Sequence, residues 1–296
     1  MEDIKSKQAF TLLGVKQSYI DSCEILISYL LKYTTADIIF YYGDGVSTLP
    51  PSPRFKKINL ETLNLEFDIS FFPNPLNPFI IKETLKSYDE VVYLDSDIQI
   101  TPNIKDIFKE SFRIDTYPLA CRYPWYYTLV NGKPWVGDKV KEFIPYKHQH
   151  TPTLGVSCTI SNKNCITFLN RWIELFLQIY TPDKAKTFIE EGIHEESIFN
   201  ALVWQEGGNK FIPTKLAWVP QPEAILEAID IYNSPEGNPL HPDGTNPSYI
   251  LTKNTWGGGM SCIPLNKNEF WGLHAFKEIN KTKQAYLYIE KYFNKL

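Results

Sequence analysis

The first 45 residues constrain the fold most. QAFTLLGV (8–15) is a nearly unbroken apolar run. SYIDSCEILISYLLKY (18–33) places Ile20, Cys23, Leu26, Ile27, Leu30 and Leu31 on one helical face, and ADIIFYYGDG (36–45) is a second apolar run closed by Gly-Asp-Gly. These periods predict strand, helix and strand. Three such elements in so short a stretch form a βαβ unit, which brings a parallel sheet and a right-handed crossover with it. The expected class is therefore α/β.

The remainder extends that pattern. FKKINL (55–60) reads as a third strand. PNPLNPFIIKETLKSYDE (73–90) reads as a helix that Asn77 caps and whose first turn holds Pro78, and VVYL (91–94) reads as the next strand. TPNIKDIF (101–108) repeats the cap-then-proline device at the start of another short helix. PLACRY (118–123), LGVSCTIS (154–161), KLAWVP (215–220) and FWGLHAF (270–276) read as strands. Helices are expected over 162–180, 194–208, 222–232 and from about 281. Between them lie a Trp/Tyr/Pro-rich loop (123–152) and a Gly/Pro/Asn-rich stretch (233–263) containing NTWGGGMS. Long loops in compact domains are often functional. With no internal repeat and no linker, 1–296 is expected to be one domain.

Composition narrows the class. Thirty basic residues against 34 acidic ones leave a net charge of −4, with the basic residues scattered, so no electrostatic footprint for nucleic acid is present. Five cysteines, Cys23, Cys121, Cys158, Cys165 and Cys262, make an odd set without a C-x-x-C pair and read as reduced thiols of a cytoplasmic protein. No window reaches the length of a membrane span, and the N-terminal MEDIKSKQAF has no apolar signal core. Aromatics at 15% suit either an aromatic core or a protein that stacks flat rings.

The chemistry is concentrated in VVYLDSDIQI (91–100). An apolar strand ends on Asp95 and Asp97, one residue apart, with nothing basic beside them. Ligands of open α/β sheets bind at the carboxyl ends of strands, and bare buried carboxylates are costly. A cation answers both facts, and oxygen ligands suit Mn²⁺ or Mg²⁺ bridging to phosphates. The alternative is an Asp that caps the following turn beside a second, solvated Asp.

The ordered series formed by the first strand and helix, FIIKETLKSYDEVVYLDSDIQI, LGVSCTIS and HEESIFNAL resembles the nucleotide-sugar glycosyltransferases of the GT-A fold. That resemblance implies a Rossmann-like mixed central sheet flanked by helices. It also implies a nucleotide-binding half (1–100) ending in the D-x-D, and an acceptor- and sugar-binding half (101–296). Asp95 and Asp97 would hold a divalent metal against the diphosphate of a UDP-sugar. HEESIFN (194–200) looks like the H-D-E-S-x-x-N helix start of the retaining family 6 transferases, the histo-blood-group type. By that likeness Glu196 faces the anomeric carbon, while Glu195 and His194 line the sugar and acceptor site. Tyr19 resembles the family's uracil-stacking tyrosine, or is a core tyrosine. DEVVYLDSD is equally similar to family 8, the glycogenin-like enzymes, whose late H-x-x-G-x-x-K carries a third metal ligand. FWGLHAFKEINK offers His274 for that role, without the motif's glycine and with Lys281 one residue beyond its lysine. His274 is thus a ligand or a strand histidine, and Lys277 neutralises diphosphate charge or is solvated.

The expected activity is a metal-dependent transfer of a sugar from a UDP-sugar to a glycan or to a lipid-linked or protein acceptor, with retention. Trp125 in the aromatic loop and Trp256 in WGGG are the candidates for acceptor contact, with both loops candidates for a mobile lid. Rival readings are an inverting transferase with Glu195 or Glu196 as general base, a nucleotide-sugar or glycan binder without turnover, and a nucleotidyltransferase. Two carboxylates one residue apart are too close to straddle a sugar ring as a glycosidase pair does. The closing helix KTKQAYLYIEKYFNKL packs on the domain or touches an anionic membrane surface.

Overall fold

The structure, a computed structural model, describes residues 6–63, 65, 76–122, 141, 144–148, 150–151, 154–179, 195–212, 216–218, 225–226, 230, 249–256, 259–264, 268, 270–274 and 278–293. The predicted βαβ unit is present as β1 (Gln8–Lys16), α1 (Gln17–Tyr33) and β2 (Asp37–Asp44), followed by β3 (Phe55–Asn59). After α2 (Leu76–Leu85) come β4 (Glu90–Leu94), β5 (Ile98–Ile100), a 3₁₀ segment (Pro102–Arg113) and β6 (Leu119–Arg122). The chain continues through β7 (Leu154–Asn162), α3 (Ile166–Ile179), α4 (Glu195–Gln205) and β8 (Leu216–Trp218). It then forms β9 (Tyr249–Trp256), β10 (Gly259–Pro264), β11 (Gly272–His274) and α5 (Ile279–Phe293).

The first sheet has six strands in the order β3-β2-β1-β4-β7-β6. β3, β2, β1 and β4 run parallel, and β7 is antiparallel to both β4 and β6. This is the mixed, Rossmann-like central sheet anticipated from the sequence. Its middle strands are covered on both faces, which is why they read as apolar runs rather than as alternation. Every residue from Ala9 to Val15, from Val91 to Leu94 and from Leu154 to Ser161 is buried. On one face α1 sets Ile20, Cys23, Leu26, Ile27 and Leu30 into the core. On the other α2 buries Ile80, Ile81 and Leu85, and its Thr84 hydroxyl donates to Thr11 on β1 at 3.2 Å. Each fully buried large aliphatic or aromatic side chain contributes about 1.5–3 kcal/mol.

The second sheet, β5-β11-β8-β10-β9, is built from short strands that the sequence only partly announced. β8 and β11 lie inside predicted segments. The Gly/Pro/Asn-rich stretch, read as loop, instead contributes the antiparallel pair β9–β10, in which Trp256 is register partner of Gly259. Two strands joined across a Gly-Gly pair are a hairpin signal that glycine content had masked. Trp256 accordingly ends a strand rather than standing in a loop.

Two local expectations also change. Asn77 does not cap α2: the helix already runs at Leu76, so Asn77 is buried in its first turn. The cap at Thr101 is present, its hydroxyl accepting from the Asn103 N–H at 3.3 Å, but the helix it opens is wound as 3₁₀ throughout. α5 packs against the domain through Ala285, Tyr286 and Ile289. The Tyr286 ring stacks on Tyr29 of α1 at 3.6 Å, and its hydroxyl accepts from the Ile100 N–H at 3.2 Å. Among the described residues no helix is long and apolar enough to cross a membrane.

Candidate functional site

Chain direction in the first sheet creates a crevice. From β1 the chain moves outward through β2 to β3, then returns to the other side of β1 as β4. Strand order therefore reverses between β1 and β4, and ligands of open α/β sheets bind at the carboxyl ends beside such a point. Asp95 immediately follows β4 there, and Tyr19, half-buried in the first turn of α1, follows the end of β1.

Asp95, Ser96 and Asp97 form the connector from one sheet to the other. The Asp95 N–H donates to the Ser157 carbonyl on β7 at 2.8 Å, and the Ile98 N–H donates to the Asp95 carbonyl at 3.2 Å. Asp97 is followed at once by β5, which pairs antiparallel with β11 in a register that sets Ile98 opposite His274. That register places His274 beside Asp97, with its Nε2 3.2 Å from Asp97 Oδ1. The Gln99 side chain donates to the Asp97 carbonyl at 3.0 Å, further fixing the connector. The strands approach closely because β11 starts with Gly272, where a Cβ would stand 2.6 Å from the Gln99 carbonyl oxygen.

Asp95, Asp97 and His274 thus converge, offering one ligand atom each, all within 4.8 Å of one another. An octahedral divalent ion with bonds of about 2.1 Å spans such a triad after small inward adjustments. Asp97 and His274 are buried. Burial works to lower the pKa of His274. The charge of Asp97 and its hydrogen bond, then Asp95 and Glu196, outweigh burial and hold the imidazole above its ordinary value. The field at this point therefore favours positive charge, and two carboxylate oxygens with one imidazole nitrogen suit a divalent cation. The donor set fits a metal.

The same electrostatics locate α4. Glu196 acts on His274 of the triad, and Glu195 acts on Tyr93 of β4. Glu196 is buried on the first turn. Two side chains hold the turn, and one of them ties it to β7. The Trp172 indole N–H on α3 donates to the Glu195 carbonyl at 3.2 Å. Asn200 accepts from the Leu154 N–H at 2.8 Å, and its amide donates to the Leu154 and Glu196 carbonyls at 2.9 and 2.8 Å. Gly207, with φ +68°, closes the helix as its sequence suggested.

The structure therefore brings together Asp95, Asp97 and His274, with Glu196 in electrostatic range of His274 and Tyr19 on the first turn of α1 after β1. Trp125, His194 and Lys277 lie outside the described residues, as does most of the 123–152 loop; Trp256 is placed only by its backbone at the end of β9. Sequence reasoning assigned no role to Asn200 or Trp172, which hold the Glu195–Glu196 turn, or to Tyr93, whose hydroxyl donates to Asp95 Oδ1 at 2.5 Å. The available signal for Tyr93 was its spacing: residues two apart on a strand share a face. Burial, with the neighbouring Asp95 charge, raises the Tyr93 pKa well above the ordinary tyrosine value, so the hydroxyl remains a donor.

No family model matches the chain, and no curated protein matches it. Among solved structures it is similar to an apo structure of the bifunctional glycosyltransferase WbbM (12% identity, TM-score 0.48), covering 76% of this chain and 42% of that one. It is also similar to the galactosyltransferase LgtC in complex with donor and acceptor sugar analogues (12% identity, TM-score 0.47), covering 97% and 100% of the two chains. An active-site mutant of LgtC gives 13% identity and a TM-score of 0.42 over 73% and 77%. The chain thus spans less than half the length of WbbM. Likeness at this level does not decide a function, which must be read from the site itself.

Proposed function

We propose that the protein is a metal-dependent GT-A glycosyltransferase that moves a sugar from a UDP-sugar donor to a glycan or to another hydroxyl acceptor. The observation that carries this reading is the Asp95–Asp97–His274 triad at the strand-order reversal, with Glu196 in electrostatic range of it. A binder without turnover has no need for a buried carboxylate in electrostatic range of such a cluster. The imidazole in the donor set favours Mn²⁺ over Mg²⁺, which prefers an all-oxygen shell.

Bound there, the ion supplies charge neutralisation to the diphosphate leaving group. Asp95, Asp97 and His274 hold it, and Tyr19 stacks on the base. Residues 1–100 provide the nucleotide side of the crevice, and residues 101–296 the sugar and acceptor side. Glu196 offers a fixed negative charge to an anomeric carbon that becomes positive in the transition state, which is the sign transfer with retention requires. Glu195 shapes the same pocket, while His194, Trp125 and Trp256 contact sugar or acceptor and Lys277 meets the diphosphate. Four buried free cysteines support a reducing, cytoplasmic setting.

Calorimetric titration of UDP tests the reading, with Mn²⁺ and then with excess chelator. Metal-dependent binding that Asp97→Asn removes is the expected result. Equal binding in chelator, or none in either condition, overturns it. With a donor sugar identified, the anomeric configuration of the product decides between retention and an inverting reaction with Glu195 or Glu196 as base.

A further inference from the structure

Tyr93 sits on β4 two residues before Asp95, with Leu94 between them. Its ring is buried, and its register partners are Thr11 on β1 and Thr159 on β7, both fully buried. Thr11 is itself fixed by the Thr84 hydroxyl, which also meets the Tyr41 hydroxyl at 3.1 Å. Close packing on a central strand restricts the rotamers open to a tyrosine flanked in this way. Side chains of residues two apart on a strand stand side by side, so the ring carries its hydroxyl to the carboxylate of Asp95, where it donates at 2.5 Å to Oδ1.

A phenol that donates to a carboxylate makes a charge-assisted hydrogen bond. The backbone of Asp95 is tied on both sides, by its N–H to Ser157 and by its carbonyl to Ile98. The Tyr93 hydroxyl, donating to Oδ1 from β4, constrains the torsions of the Asp95 side chain.

We propose that Tyr93 is a positioning residue of the metal site, whose hydroxyl fixes the rotation of the Asp95 carboxylate so that it meets the cation together with Asp97 and His274. This rests on the reading of the triad as a metal site given above. Tyr93 touches neither metal nor substrate; it acts through Asp95, as hydrogen-bonding partners of metal ligands do elsewhere. Phe at this position would fill the same space and remove that constraint on the carboxylate.

The test is Mn²⁺ binding followed by the electron paramagnetic resonance signal of free Mn²⁺, on wild type, Tyr93→Phe, Asp95→Asn and the double variant. Tyr93→Phe is expected to weaken Mn²⁺ binding by about 10–100-fold while the thermal midpoint of the metal-free protein moves little. In the Asp95→Asn background the same substitution is expected to cost less than about threefold, because the group it acts through is gone. Tyr93→Met, which lacks the hydroxyl but fills the site, gives the same weakening and replaces Tyr93→Phe should that variant not fold. A Mn²⁺ affinity for Tyr93→Phe within about twofold of wild type overturns the proposal, as does an equal loss with and without Asp95. No Mn²⁺ binding by wild type would overturn the metal reading and this proposal together. Wild-type binding that Asp97→Asn removes but Tyr93→Phe leaves intact overturns only the role of Tyr93.

Discussion

Replacing Asn200 with Ala should loosen the start of α4 and lower the stability of the protein measurably. Asn200 is fully buried and makes three hydrogen bonds, two of them to the N–H and carbonyl of Leu154 and one to the carbonyl of Glu196. Leu154 is also fully buried, so no water replaces the lost amide there. Leaving a buried polar group without its partner costs about 1–3 kcal/mol, and two such groups on Leu154 put the total near 2–6 kcal/mol. For a domain of this size each kcal/mol moves the thermal midpoint by about 2–4 °C, so a fall of roughly 4–24 °C is expected. Circular dichroism during a thermal scan reads it. Asn200→Asp sharpens the test: it keeps an acceptor for the Leu154 N–H but turns a carboxylate oxygen toward two carbonyls. Asp should therefore be no better than Ala despite its matching shape. A midpoint within about 2 °C of wild type for either variant would refute the claim that this amide ties α4 to β7.

Mn²⁺ should stabilise the fold. At about 100 times its Kd a ligand bound only by the native state adds about 2.7 kcal/mol, so the midpoint should rise by about 5–10 °C, and His274→Ala should abolish the rise. Gly272→Ala should break the β5–β11 register, because its Cβ would meet the Gln99 carbonyl at 2.6 Å and Ile100 Cα at 3.2 Å. Overpacking costs about 1–3 kcal/mol, and Mn²⁺ binding should fall with it; unchanged binding would show that the register does not place His274. Glu24 should make stability depend on pH. Partial burial works to raise its pKa, but hydrogen bonds from the Thr48 hydroxyl, the Leu49 and Thr48 N–H groups and Ser47 outweigh it and hold it below the ordinary value. A carboxylate depressed in the folded state stabilises above its unfolded pKa and loses that contribution as pH falls through the folded one. The advantage of wild type over Glu24→Gln should therefore be full at neutral pH and shrink in acid; an advantage that persists unchanged at pH 3 would contradict it.

How much of this was legible in the sequence follows from how local each determinant is. β1, α1, β2 and β4 could be read because burial on both faces writes a continuous apolar run, and because Cys23, Leu26, Ile27 and Leu30 repeat at helical spacing. Asp95 and Asp97 could be read because they break such a run. β5, with only three residues, and the pair β9–β10, hidden in a Gly-, Pro- and Asn-rich stretch, carry too little pattern of their own and form through partners distant in the chain. Asn77 shows the limit of a cap signal: Asn followed by Pro marks a helix start, but only tertiary burial decides on which residue the helix begins.

His274 is the instructive case. A single histidine in FWGLHAF is as compatible with an ordinary strand as with a ligand, and a motif with its glycine missing does not separate the two. Its placement depends on β5 pairing with β11 in one register, and β5 exists because Asp-Ser-Asp is a connector. Three residues are all that lie between β4 in the first sheet and β5 in the second. A connector this short leaves its side chains little choice of direction, and strand pairing then brings the histidine to it from about 180 residues away. A one-residue slip between β5 and β11 would turn His274 to the opposite face of the sheet while leaving its backbone in place. The close packing at Gly272 opposes that slip, so the geometry of the Asp95–Asp97–His274 triad is held by a residue outside it.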